Sequence, residues 1–209
     1  MGTVTIAATY GAGGSVIGPA LAKRLGLPFV DRAIPSWLVE KIYPLQVAAL
    51  AEDSYPGGVA ERLLTRALNY SGLFVGVPVS DEAPDVAQTE AAIQRLADEV
   101  GAVVLGRAGV FVLRERTDAF HVRLDGPVEA RRRAVMALEG LDYKTATRMQ
   151  QHTDEARRAY IAHFYPRSGA WEDPRNYQMM LDSTAISINT CVDIITRAAQ
   201  DFFAKAGER

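Results

Sequence analysis

The hexapeptide Tyr10-Gly11-Ala12-Gly13-Gly14-Ser15, with three glycines in four positions, carries the clearest chemistry in this 209-residue chain. Backbone without Cβ atoms can curl around an anion and turn its N–H groups toward it, and a following helix adds the positive end of its dipole. Phosphate is the anion such a loop suits. Set against G-x-x-x-x-G-K-[ST], the chain has Ala8 at the first glycine, Gly13 at the second, Gly14 at the lysine and Ser15 at the hydroxyl. Gly11, Ala12, Gly13, Gly14 and Ser15 are the candidate phosphate-binding residues, and Ser15 is the candidate magnesium ligand. The point charge that ordinarily bridges the β- and γ-phosphates is missing. Two other readings stay open here. One is a tight strand-to-helix turn. The other is a dinucleotide loop, in which Gly11-x-Gly13 supplies two glycines and Asp31 an acid about 20 residues on, although Val16 stands where the third glycine belongs.

Arginine supplies the remaining candidates. Arg107, in Gly106-Arg107-Ala108-Gly109, follows a strand-like run, where a guanidinium either grips a phosphate through two parallel bonds or fixes the loop by a salt bridge. Arg131, Arg132 and Arg133 fall on a predicted helix, and since successive helical residues point in different directions, at least one is ordinary solvated surface. Arg158 is preferred over Arg157 on a later helix, with a plain surface role as its alternative. Asp31 either orients a substrate or caps the segment after it, and Arg32 adjoins it. Asp154 has the spacing of a helical pair with Arg158. Asp125, ahead of Gly126-Pro127, reads as an N-cap in preference to a metal ligand. His152 and His163 are about three helical turns apart, so with His121 they make no metal set. Tyr165, Trp171 and Tyr177 read as packing residues, and the lone Cys191 as a buried small hydrophobe.

These groups need elements to hold them. Val4 to Ala8 is a short apolar run of buried-strand type. Ser15 to Leu25 places Val16, Ile17, Ala20, Leu21 and Leu25 at helical spacing, closed by Gly26, with Pro19 in or near the first turn. Leu27 to Asp31 reads as a second strand. Helical pieces around Trp37 to Ile42, Leu45 to Leu50 and Val59 to Tyr70 form an insertion over about 35–85. An amphipathic helix over Asp85 to Val100 leads into a core strand, Ala102 to Leu105. A short helix at Val110 to Arg114 precedes the strand Ala119 to Leu124 and the arginine-bearing helix. Then come helices at Tyr143 to Gln151 and Thr153 to Phe164, a strand at Tyr177 to Asp182 and a closing helix at Ser187 to Ala204. The alternation predicts an α/β fold with a mostly parallel sheet covered by helices on both faces.

Length and a 48% apolar content suit a single domain over 1–209. The 23 basic and 25 acidic side chains nearly cancel, which excludes a global field for nucleic acid or an anionic membrane. No apolar run approaches a membrane span and no signal-like segment precedes the first strand. Ile6 stands where an N-terminal lipidation motif wants a hydroxyl residue, so a cytoplasmic protein is expected.

The run from Thr5 to Gly18, with Leu27-Pro28-Phe29-Val30-Asp31, resembles the opening of the cytidylate kinase-like proteins. Val104-Leu105-Gly106-Arg107, His121-Val122-Arg123-Leu124-Asp125, Asp154 with Arg157 to Tyr160, and Tyr177 with Leu181-Asp182-Ser183-Thr184 agree in order. The resemblance covers nearly the whole chain and is weakest from about 35 to 85. It implies a three-layer P-loop kinase-type domain in which about 35–85 binds the acceptor and about 130–170 forms a lid. ATP is the implied phosphoryl donor, magnesium the implied ion, and a nucleoside monophosphate or other small phosphate the implied acceptor. Arg107 then contacts the acceptor phosphate, Asp31 and Arg32 open the acceptor site, and Arg131 and Arg158 are lid arginines that offset transition-state charge. Glycine in place of the lysine is usual in this branch. Ser15 stands where a basic residue is common, and Ala108 where classical cytidylate kinases have an acid. Two functions stay open: a nucleotide-dependent phosphotransferase, and a nucleotide- or anion-binding pseudokinase kept for regulation or assembly. The implied partners are a small nucleotide and, through the apolar helices bearing Trp37, Leu38, Leu63 and Leu64, a second copy of the chain.

Overall fold

The computed structural model describes residues 2–30, 86–106 and 108–208. By its internal contacts the chain divides into Met1–Arg32 with Val86–Arg209 and a second unit, Ala33–Asp85. The insertion expected over 35–85 therefore lies outside the described residues. In the first unit the strands are β1 (Thr3–Ala8), β2 (Phe29–Val30), β3 (Val103–Leu105), β4 (Ala119–Asp125) and β5 (Met179–Asp182). The helices are α1 (Gly14–Leu25), α2 (Val86–Glu99), α3 (Gly109–Val112), α4 (Val128–Glu139), α5 (Tyr143–Phe164) and α6 (Ile188–Gly207). The sheet order is β2-β3-β1-β4-β5 and every pairing is parallel. A dinucleotide fold places its second strand beside its first. Here β3 takes that place, so the dinucleotide reading is overturned.

Strand periodicity sorts β1 into two faces. Val4, Ile6 and Ala8 join one apolar cluster with Ile17 and Leu21 of α1 and Cys191 and Ile195 of α6. On the other face, Val104 packs with Ile93 and Ala97 of α2, while Ala7 adjoins Phe111, Ile161, Trp171 and Tyr177. The result is helix, sheet, helix in three layers. Among the described residues no helix is long and apolar enough to cross a membrane.

Local chemistry explains most boundaries. Gly26, at φ 67°, closes α1 by donating to Ala22 and Lys23 carbonyls. Pro19 lies further inside than expected, because α1 begins at Gly14 and puts it past the first turn. The Ser15 carbonyl loses its helical donor there, but Ser15 is exposed to water. The two helices expected over 143–164 are one, α5, capped by Asp142, whose carboxylate accepts from Thr145. No glycine or proline interrupts it. The strand expected from Tyr177 begins at Met179. Tyr177 instead ends a 3-10 turn, Pro174–Asn176, and donates its hydroxyl to the Trp171 carbonyl.

The second face of the sheet is polar at its centre. Thr5 and His121, paired in register across β1 and β4, are bonded through Oγ1 and Nδ1 at 2.7 Å. His121 is buried and its Nε2 has no partner among the described residues, and burial pushes the imidazole pKa down to about 4. The unfolded chain binds this proton below about 6.5 and the folded chain only below about 4. Stability from the neutral ring is thus complete above 6.5 and is lost as pH falls toward 4, by about 3 kcal/mol. Urea unfolding at pH 7.5, 6 and 4.5 is expected to show this slope in the wild type and a weaker one in His121→Gln. Equal slopes would remove His121 as its source.

Candidate functional site

The turn from β1 into α1 is built on glycine. Gly11 and Gly13 have φ values of 84° and 70°. Gly13 is the N-cap and makes no side-chain capping bond, so the N–H groups of Gly13, Gly14 and Ser15 have no intrahelical acceptor. They lie past the carboxyl end of β1, the central strand of the sheet.

Side chains from three other elements hold the loop. Arg157 of α5 donates through Nη1 to the Ala8 carbonyl at 2.6 Å, and Arg131 of α4 donates through Nη1 to the Tyr10 carbonyl at 2.8 Å. Ser183, just past β5, donates its hydroxyl to the Ala12 carbonyl at 2.7 Å. Asp154 of α5 accepts the Tyr10 N–H at 2.8 Å, and Asp125 accepts the Thr9 hydroxyl at 2.8 Å. Asp154 is also the hub of a buried ion cluster, with Arg131 at 2.9 Å and Arg157 at 3.4 Å. A short span of loop is tied to helices far away in sequence.

Two glycines are explained by what surrounds them. A Cβ on Gly11 would lie 2.3 Å from the Arg131 carbonyl oxygen, so α4 can approach only a glycine here. A Cβ on Gly14 would meet Ala8 Cβ at 2.8 Å and Leu105 Cδ1 at 3.0 Å. The position aligned with the missing lysine therefore faces packed β1 and β3 side chains. A lysine has no room there on this backbone.

Asp125 is not the N-cap expected of it. Pro127 holds the N-cap position of α4, without a side-chain bond. The Asp125 carboxylate is taken instead by the Thr9 hydroxyl, the Gly126 N–H and Arg123 Nη2. Burial raises its pKa, but these bonds and the Arg123 charge outweigh burial and hold it below the usual carboxylate range. It is ionised and fully engaged. Arg123 itself is buried in β4, with its guanidinium 4.4 Å from the Trp171 ring centroid and bonded to the Trp171 carbonyl at 3.3 Å.

Of the candidates read from sequence, Gly11, Ala12, Gly13, Gly14 and Ser15 form one loop, and Arg131 braces it. Arg158 is exposed on α5 and pairs with Glu172 at 2.7 Å, not with Asp154. Its neighbour Arg157 reaches the loop. Arg132 is buried with its guanidinium 4.8 Å from the Tyr143 ring centroid, and Arg133 is the exposed member of the triplet. Arg107, Asp31 and Arg32 lie outside the described residues. Sequence reasoning missed Asp154, Arg157 and Ser183 as loop partners. The available signal was the helical spacing of Asp154 and Arg157 and an arginine inside an apolar strand at Arg123.

A sequence model of the cytidylate kinase-like family matches residues 3–185. Among solved structures, the chain is similar to an uncharacterized protein from Eubacterium ventriosum ATCC 27560, with 18% identity and a TM-score of 0.65, over 96% of this chain and 99% of that one. A gluconokinase from Sinorhizobium meliloti 1021 matches at 18% identity and a TM-score of 0.49, over 99% and 94% of the two chains. A shikimate kinase from Bacteroides thetaiotaomicron matches at 14% identity and 0.46, over 95% and 98%. The first of these likenesses shows the fold. No curated protein matches the chain.

Proposed function

The chain belongs to the cytidylate kinase-like family, and from that premise we propose that it transfers the γ-phosphoryl group of ATP to a nucleoside monophosphate or another small phosphate acceptor. One observation carries this reading: a glycine loop whose helix-start N–H groups have no acceptor among the described residues is braced by arginines from α4 and α5. Arg131, Arg157 and Asp154 form a buried ion cluster beside the loop. Phosphoryl transfer needs mainly positioning and charge neutralisation, which fixed dipoles and buried cations supply.

In this reading Gly11 to Ser15 hold the donor phosphates, Arg107 orients the acceptor phosphate, and Asp31 and Arg32 flank the acceptor. An acceptor oxygen attacks the γ-phosphorus in line, the bond to the β–γ bridging oxygen breaks, and ADP leaves. Magnesium fits the donor set among the described residues, since the exposed Ser15 hydroxyl provides one ligand and such an ion otherwise keeps water and phosphate oxygens. When bound it neutralises charge on the β- and γ-phosphates.

A second reading, a nucleotide-binding protein without transfer activity, is favoured by the closed space at Gly14. One assay separates the two: purified protein with ATP, magnesium and a panel of monophosphates, followed for ADP and for melting temperature. An acceptor that stimulates ADP release is the expected result. A rise in melting temperature with ATP but no stimulation by any acceptor selects the second reading. No thermal shift with ATP removes both.

A further inference from the structure

The phosphate loop does not shape itself. In a trans peptide the carbonyl of one residue and the N–H of the next point in opposite directions. A bond that fixes the carbonyl therefore aims the following N–H. Along the loop, alternate carbonyls are taken by side chains: Ala8 by Arg157, Tyr10 by Arg131 and Ala12 by Ser183. The N–H groups that answer to them belong to Thr9, Gly11 and Gly13. Thr9 N–H is spent on the Leu124 carbonyl at 3.2 Å, inside the sheet. Gly11 and Gly13 N–H are directed away from Arg131 and Ser183.

Of the three braces Ser183 is the furthest from its partner in sequence, 171 positions from Ala12. Its own N–H already serves the Asp125 carbonyl at 3.1 Å, and its hydroxyl lies 2.7 Å from the Ala12 oxygen against 3.3 Å from the Asp125 oxygen. The single hydroxyl proton goes to Ala12. That bond fixes the Ala12–Gly13 peptide at the N-cap of α1, where glycine at φ 70° leaves the plane otherwise free to turn. We infer that Ser183 is a positioning residue for phosphate: through the Ala12 carbonyl it locks the Gly13 N–H toward the bound anion, coupling the end of β5 to the loop after β1. The inference rests on the proposal that this loop binds phosphate.

Binding is measured by calorimetry for ATP and for tripolyphosphate, which has no base or ribose, with wild type, Ser183→Ala and Ser183→Thr. Ser183→Ala is expected to weaken both probes about fivefold, the worth of one oriented hydrogen bond, and Ser183→Thr to restore them. Thermal melts run alongside, because a merely structural role lowers the melting temperature without a matched loss for tripolyphosphate. Loss for ATP alone assigns Ser183 to the nucleoside and overturns the inference. Equal binding of both probes by Ser183→Ala and wild type overturns it while the loop reading stands. If wild type binds neither probe, the loop reading falls and takes the inference with it.

Discussion

Gly11→Ala is expected to destabilise the protein by about 3 kcal/mol and to abolish ATP binding, whereas Gly13→Ala should cost only about 1 kcal/mol. Both positions have a positive φ, so both substitutions carry the strain of a left-handed L-residue. The difference lies in the space around them. A Cβ at Gly13 meets only Ile17 Cδ1, at an ordinary 3.6 Å, while one at Gly11 sits 2.3 Å from a carbonyl oxygen of α4. That oxygen is backbone in the first turn of a helix and cannot rotate away as a side-chain tip can. The clash must push α4 outward. Arg131, whose Nη1 holds the Tyr10 carbonyl, would move with it. Urea titrations of the two variants beside wild type check this. Equal losses would show that backbone strain alone dictates glycine at 11 and that the close approach of α4 is incidental.

The elements were largely legible in the sequence because their signals are local. Val4, Ile6 and Ala8 alternate as a buried strand must, and Gly26 ends α1 where a left-handed residue was required. The phosphate loop was legible for the same reason, since consecutive glycines have few other uses. Its bracing was not. Tyr10 and Asp154 are separated by 144 positions, and no periodicity links them. The face of α5 turned inward is Ala146, Gln150, Asp154 and Ile161, with Arg157 between the last two. That stripe has helical spacing, but three of its five members are polar, so a search for apolar faces passes over it. Arg158 lies one residue off the stripe, about 100° around the helix, and so falls on the solvent side. Which of two adjacent arginines meets the loop depends on how α5 packs. Gly14 is a similar case: alignment makes it a missing lysine, and only the packing of Ala8 and Leu105 shows why glycine is there.

Asp154→Ala is expected to be among the most damaging single changes in the described unit, at about 3–5 kcal/mol. The carboxylate is buried between two guanidinium groups, and the Arg131 side chain is as inaccessible as its own, at 7% each. Alanine leaves Arg131 with the Gly126 and Tyr10 carbonyls but without its main counter-charge. Asp125, 3.6 Å from Arg131 Nε, is already committed to Thr9, Gly126 and Arg123 and cannot replace it. The Tyr10 N–H also loses its acceptor. Asp154→Asn keeps an oxygen for that N–H and removes only the charge, so it should fall between wild type and alanine. If an unpaired buried cation is the main penalty, removing the cation relieves it: Asp154→Ala with Arg131→Met should cost less than the two single losses added together. Chemical denaturation of the four proteins closes the cycle. Additive losses, or an Asp154→Ala cost below about 1 kcal/mol, would mean that the cluster contributes little and that the loop keeps its shape without α5.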